Sequence, residues 1–167
     1  MTTAAIAASL LVGGGPAGAA SLFVESRGEL STYTRPPAHN PTDGATADLW
    51  AVAGGTTTTF FLFLTGLDPQ SAGDTYGAHI HVGPCVEGEP LTSGPHYNTG
   101  GTPSRETEVW LDFTVLPGGY AFAVTTVPFM IEPGDAQSLV IHAQPTQEGG
   151  ATPGAAGGRQ ACLPVEF

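Results

Sequence analysis

Of the five histidines in this chain, four have types and spacings that suit one metal ion. His79 and His81 flank Ile80. Residues two apart in a strand point to the same face, so both imidazoles can reach one ion while Ile80 packs the other way. His96 follows in the segment Gly94-Pro95-His96-Tyr97-Asn98, and His142 closes the apolar run Ser138-Leu139-Val140-Ile141. A His-X-His pair alone is a weak signal and gains its meaning from the other two. Imidazole suits copper and zinc, and copper stands highest in the divalent affinity series. His39 sits in a proline-rich loop and reads as a bystander.

The elements that position these side chains read as strands. Gly (24) and Pro (15) make up almost a quarter of the 167 residues, which argues for short strands joined by turns. Strands are expected over Ser21–Thr34 (bent at Gly28), Thr46–Ala53, Thr56–Leu64, Tyr76–Val82, Glu106–Val115, Tyr120–Val127, Ser138–Ala143 and Gln160–Phe167. Gly54-Gly55 reads as a hairpin turn. Val109, Leu111, Phe113 and Val115 share one face of their strand, while Glu108, Trp110, Asp112 and Thr114 share the other. Gly83–Ser104 is a long connection with four prolines, a length that usually has a function. Loops are also expected over Arg35–Gly44, Leu67–Gly73 and Pro145–Gly158. About eight strands and no helix give an all-β antiparallel sandwich or barrel in one domain over residues 21–167.

Composition narrows the function classes. Hydrophobic residues make up 41%, enough for a core. The net charge is −11, there is no Lys, and the only cations besides histidine are Arg27, Arg35, Arg105 and Arg159. Nucleic acid is thereby excluded as a partner, since phosphate binding needs clustered basic side chains. Residues 1–20 hold an apolar run followed by Ala17-Gly18-Ala19, which resembles a signal peptide with a small-residue cleavage site. The basic residue that normally precedes such a run is missing, so a leader is expected whose start is truncated; a bare Ala/Gly-rich tail is the alternative. A secreted or extracytoplasmic location follows, with no later stretch suited to a membrane span. Cys85 and Cys162 are an even count and suggest a disulfide in an exported chain, with two free thiols as the alternative. Closing 77 residues is worth roughly 4.5 kcal/mol by chain entropy.

Thr65-Gly66-Leu67, Gly77-Ala78-His79-Ile80-His81, Gly94-Pro95-His96-Tyr97-Asn98, Leu139-Val140-Ile141-His142 and Gly158-Arg159-Gln160-Ala161-Cys162 together resemble the copper/zinc superoxide dismutases in order and approximate spacing, from about residue 44 to 166. The resemblance implies an eight-stranded, immunoglobulin-like Greek-key β-barrel with copper on its outside under two long loops. It implies that His79, His81, His96 and His142 are the copper ligands, that Cys85 and Cys162 are the family disulfide, and that Arg159 guides the superoxide anion. In that family the counterpart of His96 bridges copper to zinc, and leaves copper and takes a proton on reduction. Here Thr99–Glu108 holds no His, so the usual zinc ligands are missing and zinc is expected to be absent. The loop Pro145–Gly158 carries only Glu148 as a charge. The pattern is similar to the copper-only branch. Without zinc, the second nitrogen of His96 needs another partner, and Glu108 and Asp112 are the nearest candidates in sequence. A solvated strand face is the alternative for those two, and a surface ion pair for Arg159.

Two rivals remain open. Tyr76–Pro84 also resembles chordin-type domains, which implies a non-enzymatic copper-binding or structural module. A zinc hydrolase would need three ligands, an open position and a general base, and no such spacing stands out. Superoxide is the expected substrate, and a second copy of the chain is a candidate partner.

Overall fold

The computed structural model describes residues 23–33 and 40–167. The expected leader at residues 1–20, His39 and the first part of the Arg35–Gly44 loop lie outside the described residues.

The clearest alternation in the sequence builds the first sheet. Strands β3 (Thr46–Gly54) and β4 (Thr57–Thr65) bury every second residue, so Leu49, Ala51, Phe60, Leu62 and Leu64 face inward. They pair in register from Thr46↔Thr65 to Gly54↔Thr57, which leaves Gly55-Thr56 as the turn. Gly55 takes φ +66°, a conformation that glycine adopts without steric cost. Strand β1 (Phe23–Glu29) adds to the free side of β3, and β8 (Tyr120–Val127) to that of β4. All three pairings are antiparallel.

The second sheet runs β2 (Ser31–Thr32), β10 (Arg159–Pro164), β9 (Ser138–His142) and β6 (Ala78–His81), again antiparallel. Every residue of β6 and β9 is buried. One face of this sheet gives Ile80, Leu139, Ile141 and Leu163 to a core shared with Leu49, Phe60 and Leu62 of the first sheet. The other face carries His79, His81 and His142 and is covered by loops, so the simple inside-outside alternation disappears. A two-stranded ribbon, β5 (Thr75–Tyr76) with β7 (Phe113–Thr114), completes the set.

The structure corrects several expected boundaries. There are ten strands among the described residues, not eight. The first expected strand breaks at Leu30 rather than bending at Gly28. Gly28 stays paired with Ala47, whereas Leu30 is buried, donates its N–H to Ala45, and lets the chain pass from the first sheet to the second. Tyr76–Val82 divides at Gly77, whose N–H bonds Gln144 and whose carbonyl receives the N–H of His142. Within Glu106–Val115 only Phe113–Thr114 forms a ladder. Val109, Leu111, Phe113 and Val115 do face the core, yet Glu108 and Trp110 on the opposite face are buried as well. Instead of running in a sheet, that stretch crosses the histidine face, touching His79 through Trp110 and Asn98 through Glu108.

The long connection after β6 is tied down at several points. Val82 donates its N–H to Pro95, and Gly83 donates to Ser93. A 3₁₀ turn over Pro90–Ser93 precedes His96. The Cys85–Cys162 disulfide joins this connection to β10. Gly83 lies so close to the turn that a Cβ there would stand 2.2 Å from the Thr92 carbonyl oxygen and 2.8 Å from the Ser93 carbonyl carbon. Backbone cannot give way as a flexible side chain would. Gly83→Ala is therefore expected to destabilise the fold by about 2 kcal/mol or more, read as a lower urea midpoint. Gly149→Ala, where a Cβ meets nothing within 4 Å, should stay within about 0.5 kcal/mol of the parent.

Candidate metal centre

The second sheet and its covering loops bring His79, His81, His96 and His142 together. One ligand-capable nitrogen from each lies within 4.8 Å of all the others. β6 supplies two of them at alternate positions, β9 supplies the third from its last residue, and the long connection supplies His96. The His79 and His81 side chains are fully buried and His142 is 4% exposed, while the His96 side chain is 19% exposed and forms the open side of the cluster.

Each ring makes an outward hydrogen bond that fixes its tautomer. His81 Nδ1 lies 3.1 Å from the Gly94 carbonyl, and His142 Nδ1 lies 3.3 Å from the Gly157 carbonyl. A carbonyl only accepts, so both Nδ1 atoms carry the proton. His96 Nδ1 lies 2.8 Å from Glu108 Oε2, again an acceptor. His79 Nε2 lies 2.6 Å from Thr146 Oγ1, whose own hydrogen goes to Asp112 Oδ1 at 2.5 Å. That hydroxyl must accept from His79, so Nε2 holds the proton there.

With all four rings neutral, the inward atoms are unprotonated: His79 Nδ1, His81 Nε2, His96 Nε2 and His142 Nε2. They meet in two close pairs, His79 Nδ1 with His96 Nε2 at 2.9 Å and His81 Nε2 with His142 Nε2 at 3.3 Å. No proton remains in a neutral cluster to bridge either pair, so lone pair faces lone pair. A cation among them converts that repulsion into ligation, and the four residues fit a metal ion on this ground.

The electrostatics agree. Burial, reinforced by the neighbouring rings of His96, His142 and His81, holds His79 well below the usual histidine value. Burial likewise lowers His81 to about 2 and His142 to about 4, in each case against the pull of a carbonyl hydrogen bond. Such groups stay neutral, as metal ligation requires. For Glu108 burial acts to raise the value, but hydrogen bonds from His96, Trp110 and Asn98 outweigh it and leave the carboxylate below its ordinary range.

No protein-family model and no curated protein matches the chain.

Glu108 and Asp112 take different places in the site. Glu108 is buried, accepts from His96, and also receives Trp110 Nε1–H at 2.8 Å and Asn98 Nδ2–H at 3.0 Å. Asp112 Oδ1 is 3.9 Å from His79 Nε2, beyond direct bonding, and reaches it through Thr146. Thr146, the partner of His79, was not legible in sequence: it lies in the Gly/Pro/Ala-rich loop, where nothing marks one threonine over another. Arg159 points its guanidinium at the long connection, donating to the Pro90 carbonyl, Ser93 Oγ and the Gly94 carbonyl. Gly94 thus receives both Arg159 and His81. The two covering loops are joined to each other by the Arg105–Glu148 ion pair, with Arg105 also 5.6 Å above the Trp110 ring.

The burial of neutral imidazoles fixes how the metal-free protein responds to acid. Unfolded histidine takes a proton near pH 6.5, whereas His142 in the fold resists protonation until about 4 and His81 until about 2. As pH falls from 6.5 towards 4 the unfolded chain binds more protons than the folded one, so stability must decrease. The urea midpoint of metal-free protein is expected to be lower at pH 5 than at pH 7.5. The loss should shrink when His142 is replaced by Gln, which removes one of the contributing groups.

Proposed function

We propose that this chain is a copper protein of the superoxide dismutase type, with its two sheets closed into the family's Greek-key β-barrel, acting outside the cytoplasm. The observation that carries the proposal is the convergence of four unprotonated imidazole nitrogens whose N–H groups are all committed elsewhere. An all-imidazole donor set with no thiolate or carboxylate suits copper, at the top of the divalent series. The Cys85–Cys162 disulfide suits an oxidising compartment.

Glu108 supports the copper-only form. It bonds His96 Nδ1, the nitrogen that would face a second metal, and three donors converge on its carboxylate. Copper held here supplies one-electron chemistry that takes superoxide alternately to oxygen and, with two protons, to hydrogen peroxide. The protein's part is to hold and move protons. Glu108 keeps His96 Nε2 turned inward. A proton arriving at that atom makes an imidazolium, whose charge the Glu108 carboxylate balances at 2.8 Å. His96 is the least buried of the four, so it is the ring nearest to protons from solvent. Arg159 places positive charge beside Gly94, in an otherwise acidic molecule, where it attracts a small anion.

A second reading, a non-enzymatic copper-binding module, is favoured by one observation. Arg159 already donates three hydrogen bonds to the long connection, so anchoring that segment accounts for its presence without a substrate.

Metal analysis and a superoxide assay decide between the readings. Protein exposed to both metals should hold one copper and no stoichiometric zinc per chain; equal zinc and copper would refute the copper-only form. His81→Ala should weaken copper binding by roughly tenfold or more and lower activity in parallel. Arg159→Ala should retain copper yet disproportionate superoxide roughly tenfold more slowly, with a weaker dependence on ionic strength. Fully loaded protein that is no faster than free copper would establish the binding module instead.

A further inference from the structure

Thr146 stands between His79 and a carboxylate, and its hydroxyl has one hydrogen to give. Asp112 takes both groups that Thr146 donates: the backbone N–H at Oδ2, 2.7 Å away, and the hydroxyl at Oδ1, 2.5 Å away. What the hydroxyl turns toward His79 Nε2, at 2.6 Å, is a lone pair. Asp112, and not His79, therefore decides which way that hydroxyl points. The Asp112 side chain is 17% exposed and that of His79 is fully buried, so little water screens one from the other. Most residue types at position 146 would supply the backbone N–H, but among aliphatic side chains only threonine and serine supply the hydroxyl.

The loop around Thr146 is built to hold it still. Gln144 donates its N–H to the Ala156 carbonyl at 2.9 Å, Gln147 donates to Ala155 at 2.9 Å, and Gly154 donates to Gln147 at 2.8 Å, so the two arms of the loop brace each other. The Gln144 carbonyl accepts the Gly77 N–H at 2.9 Å, which fastens the loop to the residue just before β6.

The relay also divides the four imidazoles into two kinds. His79 and His96, whose inward nitrogens lie 2.9 Å apart, are both backed by carboxylates: Asp112 through Thr146, and Glu108 directly at 2.8 Å. His81 and His142, 3.3 Å apart, are backed by the neutral carbonyls of Gly94 and Gly157. Negative charge behind a ring strengthens it as a donor and favours the more highly charged state of an ion that it holds.

We propose that Thr146 and Asp112 are positioning residues that act as one unit on His79: they keep its lone pair at Nδ1, and they carry carboxylate charge to the ring, which shifts the preference of the site toward Cu(II) over Cu(I). The second half rests on the copper reading above; the first concerns the metal-free chain alone.

Asp112→Asn tests who directs the hydroxyl. The Thr146 N–H still needs an acceptor, so the new amide keeps its oxygen there and turns its NH2 to the hydroxyl. The hydroxyl then donates to His79 Nε2, and the ring's proton moves to Nδ1, where His96 Nε2 accepts it across 2.9 Å. Ring nitrogen-15 shifts of the metal-free protein, disulfide intact, should show His79 protonated at Nε2 in the parent and in Thr146→Ser, and at Nδ1 in Asp112→Asn. Competition with chelators selective for Cu(I) and for Cu(II) tests the charge. Thr146→Val fills the same space and leaves the backbone bond to Asp112 in place. It should weaken Cu(II) binding roughly tenfold more than Cu(I) binding, a rise of about 59 mV in the one-electron potential, and Thr146→Ser should restore the parent values. A merely structural role for Thr146 would instead lower both affinities equally. An Asp112→Asn protein whose His79 keeps its proton on Nε2 overturns the first half. A Thr146→Val protein that binds copper with the parent's preference between the two states overturns the second. A parent that binds copper in neither state overturns the second half together with the reading it rests on, while the nitrogen shifts still decide the first.

Discussion

Four imidazoles point unshared electron pairs at one small volume, and the rest of the site exists to keep them there. Left alone, neutral histidines would rotate or exchange tautomer so that one N–H met one lone pair. Each ring is denied that choice by an outward acceptor: two backbone carbonyls, one carboxylate and one hydroxyl itself locked to a carboxylate. Burial removes the other escape, protonation, by making charge costly at His79, His81 and His142. The arrangement is preorganised for a cation, and the stability of the fold bears the cost of that preorganisation.

Holding the acceptors still is the task of the long connection. Two of its backbone carbonyls face Arg159, and one of these, Gly94, also faces His81. The Gly83 contact, the disulfide and Arg159 therefore all act on the metal site through a segment that contributes only one ligand of its own. His96 gains its orientation from a different quarter, the crossing stretch that carries Glu108 and Trp110.

Much of this was readable in the residues. Runs of strand-favouring apolar residues bounded by glycine and proline turn signals located β3, β4 and β8 almost to the residue. The histidine strands were found by motif more than by pattern: β6 and β9 are buried on both faces, so the period of two carries no contrast there. The Glu106–Val115 stretch shows how alternation can mislead. Its inward face was legible, but the outward residues Glu108 and Trp110 are covered by loops distant in sequence, and no local signal reports that. Thr146 and the carbonyls of Gly94 and Gly157 were invisible for a related reason. Backbone acceptors have no residue type, and a single threonine acquires its role only from what the fold places beside it.

The pairing of β6 with β9 has a consequence for how the chain folds correctly. His79 lies opposite Val140 and Ile80 opposite Leu139, so moving one strand by a single step would push both histidines into the hydrocarbon core and bring Ile80 out among the loops. An error of one position thus buries two polar rings without partners and leaves the remaining ligands facing an aliphatic side chain. Correct strand alignment and the capacity to bind metal are one decision, taken when two short strands first meet. An ion that binds only the correctly aligned chain would enrich it among competing pairings.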